Sequence, residues 1–240
     1  NYRWMFAQDE IFRVLTNTFV WVFLVPLVAT TIGLVYAVMV DRARFEAVAK
    51  SLIFMPMAIS FVGAGIIWKF VYAFRPEGAD QIGLLNQIWV LLGGQPRQWL
   101  LDPPLNTILL IVVMIWIQAG FAMVVLSAAI KAIPADIVEA ARLDGVNPWQ
   151  MFWQVTMPSI RPALIVVVVT ISISTLKVFD IVRTMTNGNF DTGVVANEMY
   201  NQAFRFGQTG QGSALAVFLF ALVIPIVIYQ IRNLRQQREG

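Results

Sequence analysis

Long apolar runs separated by short polar intervals organise this chain, and several runs are long enough to cross a bilayer. A membrane helix needs about 20 predominantly apolar residues to span roughly 30 Å of hydrocarbon. Five runs meet that length, at residues 17–40, 51–74, 107–130, 162–182 and 213–231. The pattern predicts an all-α, polytopic transmembrane helical bundle forming one domain over residues 1–240. Pro26 in the first run and Pro56 in the second are breakers that membrane helices tolerate. Gly63 and Gly65 in the second run predict close helix contact. Residues 1–16 mix Tyr2, Trp4, Phe6 and Phe12 with Asp9 and Glu10, too polar to span, and predict an interfacial helix or loop. Residues 75–106 carry Gly93, Gly94, Pro96, Pro103 and Pro104 and predict a long connection.

One polar interval in the second half, Lys131 to Arg161, stands between two of these runs. It reads as two short helices meeting at a corner. Pro134 suits a first helical turn, and Gly145 suits the left-handed residue just past a helix end. Asn147 and Pro148 then read as the cap and first turn of the next helix. On that helix Trp149, Phe152 and Trp153 share a face, while Ile137, Ala140 and Ala141 form a smaller apolar strip on the first. A knob of this kind predicts a docking element. The alternative is a helix pair lying flat on lipid headgroups.

Composition narrows the class. With 58% hydrophobic and 13% charged residues the chain is not an ordinary soluble domain. Its net charge of +3 does not point to nucleic acid, because Lys and Arg sit in short loops beside apolar runs rather than on one face. If the knob faces the cytoplasm, that side holds nine Lys and Arg residues, Arg42, Arg44, Arg235 and Arg238 among them, against six on the other. This bias orients the knob and the C-terminus inward. The chain has no Cys and no His, which excludes thiol nucleophiles, zinc clusters and histidine bases. It contains no G-x-x-x-x-G-K-[ST] phosphate loop, so the sequence offers no site of this kind for nucleotide hydrolysis.

Polar side chains inside spans mark a candidate pathway, because each is costly to bury unpaired. The third span has Gln118 and Ser127, and the fourth has Thr170, Ser172, Ser174, Thr175, Lys177 and Asp180. Lys177 and Asp180 are three apart and would pair on a helix, as a substrate contact or as an ion pair near the outer interface. A lone charge at the bilayer centre costs about 2.5–3.5 kcal/mol, so a partner is expected. Phe121 or Trp116 would offer the apolar face of a ring-shaped solute an aromatic platform. Lys69, beside Trp68 and Tyr72, reads as a snorkelling side chain.

The spacing Glu139, Ala140, Ala141, three residues, Gly145, nine residues, Val155, Thr156, Met157, Pro158 resembles the EAA signature of permease subunits of bacterial ABC importers. Val155 and Met157 depart conservatively from the Ile and Leu of that pattern. The resemblance implies a type I ABC importer permease fold, with another span upstream of residue 1, in the cytoplasmic membrane. It implies that Glu139, Ala140, Ala141, Arg142, Asp144, Gly145, Trp149, Phe152 and Pro158 couple to an ATPase dimer holding ATP and Mg. It further implies a second homologous permease, an extracytoplasmic solute-binding protein, and no cofactor on this chain itself. Runs such as NYRWMF, VDRARFEA, IWKF and GLLN are similar to permeases of α-glucoside importers, which take up trehalose, sucrose, maltose or glucosylglycerol. Aligned with maltose-importer permeases on KAIP and TNG, the chain places Gln118, Phe121, Ser174, Thr175 and Val178 at sugar-contact positions. Ser174, Thr175 and Val178 replace larger or more polar groups there, which leaves the sugar open. The alternative without that resemblance is a secondary, ion-coupled transporter using Asp180 and Lys177. A membrane enzyme is disfavoured by the scarcity of carboxylates within the spans.

Overall fold

The computed structural model describes residues 1–41 and 44–239, so Arg42 lies outside the described residues, as do the side chains of Arg235 and Arg238. Within the described residues every regular element is helical. A short α1 (Tyr2–Ala7) leads into α2 (Asp9–Val40). The first span thus starts eight residues before the apolar run does. Its polar opening turns are stabilised by packing: Met5, Ile11, Val14 and Leu15 form a small core with Val195 and Leu215.

The run at 51–74 is not one straight span. α3 (Glu46–Phe54) passes into a tight turn at Met55–Ala58, and the chain restarts as α4 (Phe61–Val71), bent by 102°. Pro56 cannot donate a hydrogen bond to continue α3. Ile59 is extended, and Ser60 opens α4 by accepting the Gly63 N–H at 3.1 Å. The connection that follows holds α5 (Leu84–Leu91), fixed by the buried Asn86 amide between the Ala73 and Arg97 carbonyls.

α6 (Leu105–Lys131) is the central rod, with Leu110, Val113, Met114, Met123 and Leu126 fully buried against α2 and its neighbours. α7 (Ala135–Leu143) and α8 (Pro148–Gln150) form the knob. The second knob helix does not stop before the fourth span, as the sequence suggests. α8, a π segment at Met151–Thr156 and α9 (Met157–Leu176) make one helical rod over Pro148–Leu176. Pro158 explains the wide turns: its ring would collide with the carbonyl of Gln154 in a regular helix, and a π segment opens space there. The rod ends at Leu176 rather than at residue 182.

α10 (Asp180–Met185) and α11 (Val195–Tyr200) fold back at the end opposite the knob, and α12 (Thr209–Glu239) is the last span. Phe19, Phe23, Phe220 and Ile224 are exposed, as a bilayer or a neighbouring membrane subunit would require. At the knob end, charges tie three helices together. Lys50 Nζ lies 2.6 Å from Asp41 Oδ1 and 2.7 Å from Glu46 Oε1, and Lys131 also pairs with Glu46. Ser127 donates to Asp41 at 2.7 Å, so this span hydroxyl belongs to the cluster rather than to a pathway.

Candidate functional site

The bend between α3 and α4 creates the site. A cavity of about 310 Å³ lies beneath it, walled by Met57, Ile59, Ser60 and Phe61 from the bend, by Gln118 and Phe121 from α6, and by Thr170 and Ser174 from α9. Its size is at the lower end of small-ligand sites, about 300–1,000 Å³.

Hydrogen bonding separates the cavity wall from the rest of the spans. Ser172 and Thr175 give their hydroxyls to carbonyls one turn back, at 2.8 and 2.7 Å. Among the described residues, Thr170, Ser174 and the Gln118 amide make no side-chain hydrogen bond to the protein. Two hydroxyls and an amide therefore face the cavity with donors and acceptors unused, beside the Phe121 ring. This is chemistry for a neutral, hydroxyl-rich ligand.

Gln118, Phe121 and Ser174 are thus brought together, and the other pathway candidates are not. Trp116 packs edge-on to Trp68, with ring centroids 5.6 Å apart. Thr175 and Val178 are buried away from the cavity. Lys177 is exposed at the end of α9, and Asp180 begins α10, so the two do not share a helix and no ion pair joins them among the described residues. The i,i+3 pairing fails because α9 ends at Leu176, leaving Lys177 as its cap, and the next helix begins only at Asp180. Lys69 gives its ammonium to the Thr184 carbonyl at 3.3 Å. Sequence reasoning missed the four bend residues. Their signal was a breaker and a cap, Pro56 and Ser60, inside an apolar run.

The knob stands clear of the bundle. Neither α7 nor α8 has a buried residue. Glu139, Ala140, Arg142, Asp144, Gly145, Trp149 and Pro158 are exposed, and Ala141 and Phe152 are half-buried. Leu143, overlooked in the sequence, is 89% exposed at the C-terminal end of α7, and an apolar side chain so placed marks a contact surface. Gly145 has φ of +76°, and the Val146 and Gly145 N–H groups close α7 onto the Ala141 and Arg142 carbonyls at 3.2 and 3.1 Å. Asn147 and Gln150 cap α8 reciprocally at 2.9 and 3.0 Å. On the next turns Trp149, Phe152 and Trp153 stack edge to face.

The cavity makes one direct prediction. Gln118→Leu keeps the volume but removes the amide, so kcat/KM for uptake is expected to fall about tenfold, the effect of one good hydrogen bond to a bound hydroxyl. Transport kinetics in proteoliposomes measure this, and unchanged kinetics would remove Gln118 from the pathway.

The family described as binding-protein-dependent transport system inner membrane component matches residues 29–238. The chain is 50% identical to the osmoprotective compounds uptake permease protein GgtC of Synechocystis sp., over 100% of this chain and 86% of that protein. It is 49% identical to the alpha-glucoside transport system permease protein AglF of Rhizobium meliloti, over 100% of this chain and 72% of that one. A solved bacterial ABC transporter involved in import of the acidic polysaccharide alginate has a chain of the same fold. That match has a TM-score of 0.84 at 22% identity, covering 98% of this chain and 82% of the other.

Proposed function

Because this chain belongs to the family of inner membrane components of binding-protein-dependent transport systems, we propose that it carries a neutral α-glucoside or small oligosaccharide through the cavity beneath the α3–α4 bend. It is a multi-pass ABC importer permease, and ATP hydrolysis belongs to a separate subunit. In the proposed assembly a second homologous permease completes the pore, and an ATPase dimer holding ATP and Mg receives the knob. A solute-binding protein delivers the sugar to the opposite end. The knob and the C-terminus then face the cytoplasm, in keeping with the bias of Lys and Arg toward that side. Glu139, Arg142, Asp144, Trp149 and Phe152 are the docking contacts.

The observation that carries this reading is the unbroken rod from Pro148 to Leu176. Trp149 at its knob end and Ser174 at the cavity are 25 residues apart, about 38 Å along a helix. A shift of the docked knob therefore moves a cavity wall directly, as alternation between inward-open and outward-open states needs. The chain, co-purified with its partners and placed in proteoliposomes, is expected to take up trehalose, sucrose or maltose only with ATP. Uptake should persist when an ionophore dissipates ion gradients. Uptake without ATP that collapses with the ionophore would instead establish an ion-coupled transporter.

A further inference from the structure

A second polar site lies at the end opposite the knob. α2 is 32 residues long, about 48 Å, so Glu10 and Asp41 occupy opposite ends of the bundle. Around Glu10, two adjoining cavities of about 270 and 220 Å³ share Glu10, Gly188, Asn189 and Glu198 as walls. We propose that they form an outer binding subsite for a neutral polyhydroxylated solute of mono- to disaccharide size. This assignment rests on the chain being a sugar permease.

The chemistry of the walls selects the ligand class. Among the described residues no three acidic groups gather to hold a metal ion, which disfavours a cation site. Charges of both signs are present and partly satisfied within the protein, which disfavours an anion site. Arg13 holds Asp191 through both carboxylate oxygens at 3.0 and 3.1 Å. Glu198 accepts from Asn201 at 3.3 Å and from Gln202 at 2.6 Å, and Arg205 lies 5.7 Å from the Phe206 ring centre. Gln8, Glu10 and Asn189, all exposed to solvent, and the half-buried Asn187 also line the cavities, and among the described residues their side chains make no hydrogen bond to the protein, so a solute entering from solvent can reach them. Amides that both donate and accept, next to a carboxylate, match hydroxyl groups better than they match ions. Trp4 and Phe206 add aromatic surface in the same wall, suited to the apolar face of a sugar ring.

The loop between the two cavities is held in an unfavourable conformation. Asn187, Phe190 and Asp191 have φ of 60°, 57° and 59°, left-handed values that Asn and Asp tolerate better than other residues with a side chain and that cost Phe190 most. Asn17 fixes this loop by donating to the Asp191 and Gly193 carbonyls at 2.6 and 3.0 Å. The loop therefore presents Asn189 between the cavities at a cost in backbone strain, as binding loops commonly do.

The test uses the complex of the two permeases and the ATPase dimer in detergent, without nucleotide and without the solute-binding protein, with radiolabelled trehalose and maltose as probes. Wild type is expected to bind sugar at two sites, and a Ser174→Phe variant, which fills the central cavity, to keep one. Adding Glu10→Gln and Asn189→Ala should remove that remaining site. Those two changes alone should raise KM for uptake about tenfold with kcat unchanged, the mark of a lost encounter site rather than of a damaged pore. Co-purification of all subunits and an unshifted melting temperature establish that the variants fold. If Ser174→Phe binds no sugar, or if the Glu10/Asn189 variant keeps wild-type stoichiometry and KM, the outer subsite is overturned while sugar transport stands. Loss of stimulation by the solute-binding protein with sugar binding intact would also overturn it, assigning the cavities to a side chain of that protein. Absence of any sugar uptake by wild type would overturn the proposed function itself.

Discussion

Gly120→Val is expected to reduce transport by more than tenfold while leaving the knob's docking intact. A Cβ at residue 120 would stand 2.5 Å from the Ile53 carbonyl oxygen and 3.1 Å from the Phe54 Cα. Both are backbone atoms, so no rotamer change relieves the collision, and one helix must move. α6 is anchored by many buried side chains, whereas α3 has none, so α3 gives way. α3 leads straight into the bend that supplies Met57, Ile59, Ser60 and Phe61 to the cavity, and Gln118 and Phe121 flank Gly120 on the other wall. Small residues set how closely membrane helices approach, and overpacking such a contact costs about 1–3 kcal/mol. The displacement also reshapes the site, which accounts for the larger effect on uptake. Proteoliposome transport and a melting curve separate the two contributions. A folded Gly120→Val complex that transports at the wild-type rate would show that the α3–α6 contact does not define the cavity.

Much of the helical layout was legible because bilayer thickness imposes a length on apolar runs: α6 follows its run to within two residues at each end, whereas α12 starts four residues before its run and continues eight beyond it. The departures share a cause. Hydropathy reports where a segment is comfortable, not where its backbone bends or continues. The run at 51–74 is apolar throughout its bend, so only Pro56 and Ser60 betrayed the 102° break. Conversely, the polar stretch before Pro162 hid a helix that never stops, because the π segment absorbs Pro158. Among site residues, Gln118, Phe121 and Ser174 lie on the cavity, while Lys177 and Asp180, the most conspicuous charges in the sequence, do not. Sequence spacing assumed one helix across residues where α9 ends. Which hydroxyls bond back to their own helix and which stay free is a matter of rotamer and neighbours, and no pattern along the chain separates Thr170 from Thr175.

At the knob, Gly145→Val is expected to uncouple the transporter with little change in the stability of the bundle. Gly145 occupies the left-handed region with φ of +76°, and a Cβ there would meet no atom within 4 Å. The cost is therefore purely conformational, about 1–2 kcal/mol, and greatest for a β-branched residue. What that strain breaks is the corner. Since neither α7 nor α8 fully buries a residue against the bundle, the angle between them is set by the Ala141 and Arg142 carbonyl bonds, by Gly145 itself, by the Asn147 cap and by the packing of α7 on the Met151–Thr156 segment. Opening the corner swings Glu139, Arg142 and Leu143 away from Trp149 and the rod that reaches Ser174. The expected order of coupled uptake is Gly145, then Asn, Ala and Val, because Asn tolerates the left-handed region better than other residues with a side chain. Sugar-stimulated ATP hydrolysis should fall in the same order, while sugar binding in the absence of nucleotide stays constant. A flat series, with Gly145→Val hydrolysing ATP and transporting as wild type does, would mean that the knob's corner transmits nothing to the cavity.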